Sequence, residues 1–210
     1  MKRTKAEADQ TKDQLIEAGL VVFGKLGIQA ARVEDIVAEA GVTRGAFYYY
    51  FKNKFELYTR LLEIRAAYYR EIIHECMENE LPPIERLRTY MVSVMTRAVT
   101  DTRFLAFNEM ILHKSPQVEE ALGKLKANEK ERMIPTAVFI KTIEDGITTG
   151  EIRSEIDVGV AVTNIFIFVH GAITFSIINR GRFPLDKVAS ALVDAFLLGY
   201  TNQVSTETKS

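Results

Sequence analysis

Between Val33 and Tyr58 the chain reads VEDIVAEAGVTRGAFYYYFKNKFELY, and no single long helix can be drawn through it. Val33, Ile36, Val37 and Ala40 recur at helical spacing, which gives a short helix one apolar stripe and leaves Glu34, Asp35 and Glu39 to water. Gly41 supplies the positive φ that ends such a helix, and Val42 can tuck beneath the turn. Thr43 is a good N-cap for a second short segment, where Phe47 and Phe51 fall one turn apart on one face while Arg44 and Tyr48 share the opposite one. Two short helices therefore meet at an angle around a glycine turn.

The second helix is suited to an anionic partner. Three residues after Thr43 stands Ala46, not the Glu of a capping box, and a carboxylate there would repel phosphates from the helix N-terminus. Gly45, Ala46 and Tyr49 flank Arg44 and Tyr48 and keep the surface low enough to enter a groove, with Arg44 the candidate base reader. Asn53 and Glu56 form an N-cap and an N3 acid for a longer helix, with Lys52 and Lys54 beside its positive end. Lysine matches that end of the macrodipole poorly, and a DNA phosphate explains it better. Net charge is only −1, and residues 1–60 hold ten Lys/Arg against eight Asp/Glu. A helical reader needs local charge rather than an extreme balance, so this decides nothing.

On Asp35-Ile36, Ala40-Gly41-Val42-Thr43, Gly45, Tyr48, Tyr50-Phe51 and Lys54 through Leu57, the stretch resembles the N-terminal domain of TetR-family transcriptional repressors. Ala31 and Arg32 replace the family's usual paired threonines before the second helix, which offers Arg32 to a phosphate instead. The resemblance implies an all-α protein: an N-terminal three-helix, homeodomain-like helix-turn-helix domain, then a larger C-terminal helical domain for ligand binding and dimerisation. It further implies a homodimer on a palindromic double-stranded DNA operator, released by a small-molecule inducer, with no cofactor. The DNA-binding set is then Arg32, Val33, Thr43, Arg44, Gly45, Ala46, Tyr48, Tyr49, Tyr50 and Lys54.

Residues 1–10 read as a mobile basic arm, with Arg3 and Lys5 for the DNA backbone. Thr11 with Gln14 forms a capping box for a first helix whose buried stripe is Leu15, Val22, Phe23 and Leu26, and Gly27 ends it. Gly19 and Gly24 inside that helix cost roughly 1 kcal/mol each relative to alanine, either for close packing or as tolerated weakness. The reader spans residues 11–55 and the C-terminal domain residues 56–200, joined by the long helix after Asn53, a stiff link able to carry movement. Pro82-Pro83 and Ser115-Pro116 punctuate further helices, one ending at Gly150 is expected to bend at Pro135, and residues 201–210 read as a disordered tail.

The second domain resembles, more diffusely, the multidrug-responsive branch of the family that controls efflux pumps, notably in FNEMILHKSPQVEEAL. Tyr68, Met91, Met95, Phe104, Phe107 and Ile111 make its middle helices rich in aromatic and sulfur side chains, as do Met133, Phe139, Phe168 and Phe175. Together they permit an adaptable pocket, and singly each also suits an ordinary core. Asn108 among them is either a polar ligand contact or a satisfied helix-packing amide. An apolar or aromatic inducer and an efflux pump as target are the expectation; the alternative is a regulator of metabolic or biosynthetic genes with a different ligand.

Val158 to Asn179 carries no formal charge and meets the limit of about 20 residues for a membrane span. Thr163, Asn164, His170, Thr174, Ser176 and Asn179 interrupt the run, and no basic loop orients it. A helix buried against its own domain and a second subunit explains it without a membrane, with Ile165, Val169 and Ala172, and Leu192 and Phe196 of the last helix, at the dimer interface. Cys76 is the single cysteine, and no apolar signal core follows the N-terminal residues, so a cytoplasmic protein is expected. His74, His113 and His170 are scattered, and no metal spacing, phosphate loop or nucleophile motif appears, so no enzyme and no metal site are indicated. A helical protein-interaction module would account for the apolar C-terminal helices, but not for Arg44, Tyr48, Tyr49 and Lys54 on one face.

Overall fold

A computed structural model describes residues 5–112 and 135–202, with the backbone alone for residues 5–8. Among the described residues there are nine helices: α1 (Lys5–Ala30), α2 (Val33–Ala40), α3 (Arg44–Tyr50), α4 (Lys54–Met77), α5 (Pro83–Thr100), α6 (Thr102–Leu112), α7 (Ala137–Thr149), α8 (Val158–Ile178) and α9 (Leu185–Leu197). The fold is all-α, as the resemblance implies. An antiparallel bridge joins Ile152 to Thr201.

α1, α2, α3, α4 as far as Tyr68, and α6 form one compact unit. Helices as short as α2 and α3 are unstable alone and persist by packing an apolar face. Ile36 of α2 and Phe47 of α3 are fully buried against Leu15, Phe23 and Ile28 of α1 and Leu57, Tyr58 and Leu61 of α4. The Phe23 ring meets Tyr58 edge-on at 5.6 Å. Phe107 and Met110 of α6 complete this core. The compact unit therefore takes in α6 as well as the residues 11–55 expected for the reader.

α1 also departs from expectation at its start. It begins at Lys5, so residues 5–10 are helical rather than a loose arm, and Thr11 is buried inside the helix instead of capping it. Arg3 lies outside the described residues. Gly27, at φ 71° and ψ 156°, interrupts the helix where the sequence placed its end, and one more turn runs to Ala30. Leu15, Val22 and Phe23 are buried, whereas Leu26 faces solvent and Ile28, past the interruption, is buried. The two helical glycines separate cleanly: a Cβ on Gly19 would stand 2.6 Å from Leu57 Cδ2, while one on Gly24 meets nothing within 4 Å. Gly19 serves close packing of α1 on α4; Gly24 is a tolerated weakness.

The second unit contains α4 from Tyr69 onward, α5, α7, α8 and α9. α5 is its axis, since α7, α8 and α9 all pack on it. Pro83 starts α5, where its missing N–H costs nothing, and Leu87, Tyr90, Met91, Val94, Met95 and Ala98 are buried along it. Pro135 precedes α7 rather than bending it, because α7 begins at Ala137. Gly150, at φ 77°, closes α7 as predicted. The start of the expected tail is held: Thr201 pairs with Ile152, and Asn202 Nδ2 donates to Gly150 O at 2.7 Å.

Candidate nucleic-acid interface

The α2–turn–α3 geometry is set by local caps. Asp35 Oδ2 accepts the Arg32 N–H at 2.8 Å, so a backward-reaching carboxylate takes over the capping that Ala31 and Arg32 cannot supply as threonines would. At the other end Gly41 sits at φ 65°, and the Val42 N–H donates to Val37 O at 3.0 Å. Thr43 Oγ1 then accepts the Ala46 N–H at 3.2 Å to open α3. Within α3, Ala46 and Phe47 face the core, and Arg44, Gly45, Tyr48 and Tyr49 face outward, Tyr49 being 79% exposed.

Arg44 is charged and held from two sides. Its Nη1 lies 3.1 Å from Glu34 Oε1 on α2, and its Nη2 donates to the Tyr48 hydroxyl at 3.5 Å, with Cζ 5.5 Å from the Tyr48 ring centroid. The Tyr48 hydroxyl first, and the Glu34 carboxylate second, raise its pKa. Glu34 is a residue that periodicity assigned merely to water. Ten positions separate it from Arg44, across a turn, and no helical spacing pairs them.

Lys54 has acceptors within the protein. Its Nζ donates to Gln29 O at 2.9 Å and Ala31 O at 2.8 Å, so the ammonium complements the negative end of α1 from within the protein. Partial burial lowers its pKa. The cap of α4 forms as predicted, with Asn53 Oδ1 accepting the Glu56 N–H at 3.0 Å, and Glu56 Oε2 accepting the Lys52 N–H at 2.5 Å. Of the remaining predicted residues, Arg32 and Thr43 are exposed, and Val33 and Tyr50 are packed on the core. Ala46 is buried beside Phe47 and so lies behind the outward face, because the helical period places it there.

Residues 15–61 match the family described as bacterial regulatory proteins, tetR family, and residues 82–201 match the MAATS-type transcriptional repressor, C-terminal region. The chain belongs to the TetR family. It is 29% identical to the HTH-type transcriptional regulator TtgR of Pseudomonas putida, over 82% of this chain and 83% of that one. At 20% identity it shares its fold with SmeT, the repressor of the Stenotrophomonas maltophilia multidrug efflux pump SmeDEF (TM-score 0.73, covering 93% and 94% of the two chains). It shares it equally with the transcriptional regulator FadR from Bacillus subtilis in complex with stearoyl-CoA (20% identity, TM-score 0.73, covering 89% and 98%). As a TetR-family member the chain is a ligand-responsive transcriptional repressor with a helix-turn-helix, not an enzyme.

The residues expected to bind ligand fall into two groups, one in each unit. In the first, the Tyr68 ring stacks on Phe104 at 5.8 Å and tilts against Phe107 at 5.7 Å, and Ile111 packs on the same core. Asn108 is buried there with both ends of its amide partnered: Nδ2 donates to Phe104 O at 2.9 Å, and Oδ1 accepts from Arg65 Nη2 at 3.4 Å. In the second, Met91, Met95 and Phe139 are fully buried, with Phe139 edge-on to Tyr90 at 4.7 Å and to Phe166 at 5.1 Å. Phe168 stacks instead on Phe196 at 4.4 Å, and Phe175 is 54% exposed, so neither joins that buried group. Met133 lies outside the described residues.

The residues expected at a dimer interface differ in their burial. Ile165 and Val169 are buried within their own unit, so they are unavailable to a second copy. Ala172, Leu192 and Phe196 are half-buried. The outward apolar residues of α8 are Val160, Ile167, Phe175 and Ile178, with Ile167 and Ile178 65% and 72% exposed. On α9, the face turned inward is Leu185, Ala189, Val193 and Leu197, one position along from Leu192 and Phe196. α8, apolar nearly all round, carries no periodicity from which its inner face can be chosen.

Proposed function

We propose that the protein is a homodimeric repressor that holds a palindromic operator through α3, leaves it when a small apolar or aromatic compound binds, and controls a multidrug efflux pump. The observation that carries this reading is the outward face of α3. Its N-terminus has a threonine cap and no acid in its first turn, and it presents Arg44, Gly45, Tyr48 and Tyr49. A guanidinium there suits the two acceptors of a guanine edge, and the N-terminus favours a nearby phosphate.

A seven-residue helix makes few contacts, so useful affinity calls for two readers spaced by about one DNA turn. α8 supports that pairing. It is the described helix long and apolar enough to cross a membrane, with a mean hydropathy of 1.9, yet its inner residues pack within the protein. A second copy over Val160, Ile167, Phe175 and Ile178 covers the remainder without lipid. The dimer then works in the cytoplasm, where its operator is.

Release is served by the placement of α6. Phe107 and Met110 lie in the same core as Ile36 and Phe47, so a compound that shifts α6 disturbs the packing that aims α3. The Phe- and Met-rich groups around Phe104 and Phe139 suit an apolar or aromatic compound. A second reading, regulation of lipid-metabolic genes by a long-chain acyl ligand, is favoured by the fold shared with FadR in its stearoyl-CoA complex.

Genomic mapping of sites bound by the purified protein, followed by release assays with aromatic antimicrobials and with acyl-CoAs, separates the two. A site upstream of a transporter operon with release by the aromatic compounds supports the efflux reading. A site beside metabolic genes with release by acyl-CoA replaces it.

A further inference from the structure

The geometry points to Glu34 as a residue that sets how sharply the reader discriminates between DNA sequences, by guarding Arg44 against phosphates. This rests on the reading of α3 as the DNA-contacting helix. Glu34 stands in the first turn of α2 and Arg44 opens α3, and the turn at Gly41 brings Glu34 Oε1 to 3.1 Å from Arg44 Nη1. Both side chains are more than half exposed, at 55% and 64%, so the pair adds little to the fold and lies open to a partner. Tyr48 holds the other side of the guanidinium through its hydroxyl and ring face.

Two kinds of DNA contact compete for this guanidinium. A guanine edge offers neutral acceptors, and a guanidinium has five N–H donors, so Arg44 can keep Glu34 on one side while pairing with guanine on the other. A phosphate is an anion: it takes the donors that Glu34 holds, and the carboxylate repels it. Glu34 therefore penalises sequence-independent backbone contact more than base contact, exchanging affinity for specificity. Arg32 and Lys52 are exposed and enter no ion pair among the described residues, so they remain free for the ordinary phosphate contacts.

The test compares a duplex selected by the wild-type protein from a randomised library with a shuffled duplex of the same composition, across a salt series. The proteins are wild type, Glu34→Gln, Arg44→Ala and the double variant, with Glu34→Ala as a second neutral substitution. The expected result is that Glu34→Gln tightens binding to the shuffled duplex about three- to tenfold and to the selected duplex less than about twofold. The salt slope on the shuffled duplex steepens by about 0.9, the share of one further neutralised phosphate. Both effects disappear when Arg44 is alanine. Equal shifts on the two duplexes, no shift on either, or effects that persist without Arg44 overturn the role of Glu34. If Arg44→Ala itself keeps full affinity for the selected duplex, the reading of α3 as the reader fails, and the role of Glu34 fails with it.

Discussion

Lys54 Nζ lies 2.8 Å from the carbonyl oxygen of Ala31, so the residue that opens α4 also secures the end of α1. With Gln29 O at 2.9 Å as a second acceptor, the ammonium ties together three elements of the reader: the last turn of α1, the step into α2, and the start of α4. Replacing Lys54 with methionine keeps the length of the side chain and removes both bonds. The expected loss is about 1–2 kcal/mol of unfolding free energy in urea without any DNA, the usual size for charge-assisted bonds discounted for partial exposure. Unchanged stability would mean that the lysine serves phosphate alone.

The two glycines of α1 predict opposite outcomes for the same substitution. Gly24→Ala adds a methyl group where there is open space and raises stability by about 1 kcal/mol. Gly19→Ala puts its Cβ 2.6 Å from Leu57 Cδ2, in a fully buried core, and costs about 1–3 kcal/mol despite the same gain in helix propensity. Thermal or urea denaturation of the two variants checks both signs.

Tyr58 carries a buried hydroxyl with no partner among the described residues, and burial pushes its pKa from 10.0 up to about 12. The unfolded chain releases this proton at the lower value while the fold keeps it. Its contribution is therefore fully present below pH 10 and is lost as pH rises towards 12. Tyr58→Phe should remove that alkaline loss, and at neutral pH should gain about 1 kcal/mol by deleting an unpaired buried polar atom. Urea midpoints followed from pH 7 upward test it; identical alkaline slopes for the two proteins contradict it.

α8 distinguishes its inner and outer faces by mutation. Ile167→Glu lies on the exposed side, so the variant folds, sediments as a monomer, and loses operator affinity by about 10²-fold or more as paired binding is lost. Val169→Glu buries a carboxylate inside the unit and disrupts folding itself. Sedimentation velocity with circular dichroism separates these outcomes, and a dimeric Ile167→Glu protein would place the interface elsewhere.

The reader was largely legible because its signals are local. The helical spacing of Val33, Ile36 and Val37, the Gly41 turn, the Thr43 cap and the Asn53 cap each act within four residues, and the structure contains all of them. What sequence spacing missed are contacts across elements. Glu34 reaches Arg44 over a turn, Lys54 reaches Gln29 and Ala31 from more than 20 residues away, and α6 joins the core of α1 to α4. The start of α1 was misplaced because Thr11 with Gln14 imitates a cap inside a continuous helix. The register of α8 escaped for a different reason: with apolar residues on nearly every side, its burial follows its packing on α5 and not the pattern, whereas α9 is amphipathic and its inner face lies one position from the one expected.

The most direct measurement of the central claim is a hydroxyl-radical footprint of the protein on the strongest duplex selected from a randomised library. The account predicts two protected patches related by a two-fold axis, on one face of the DNA and about one helical turn or a multiple of it apart, both lost with Arg44→Ala. Uniform protection that is the same on shuffled DNA, or a footprint that Arg44→Ala leaves intact, contradicts it.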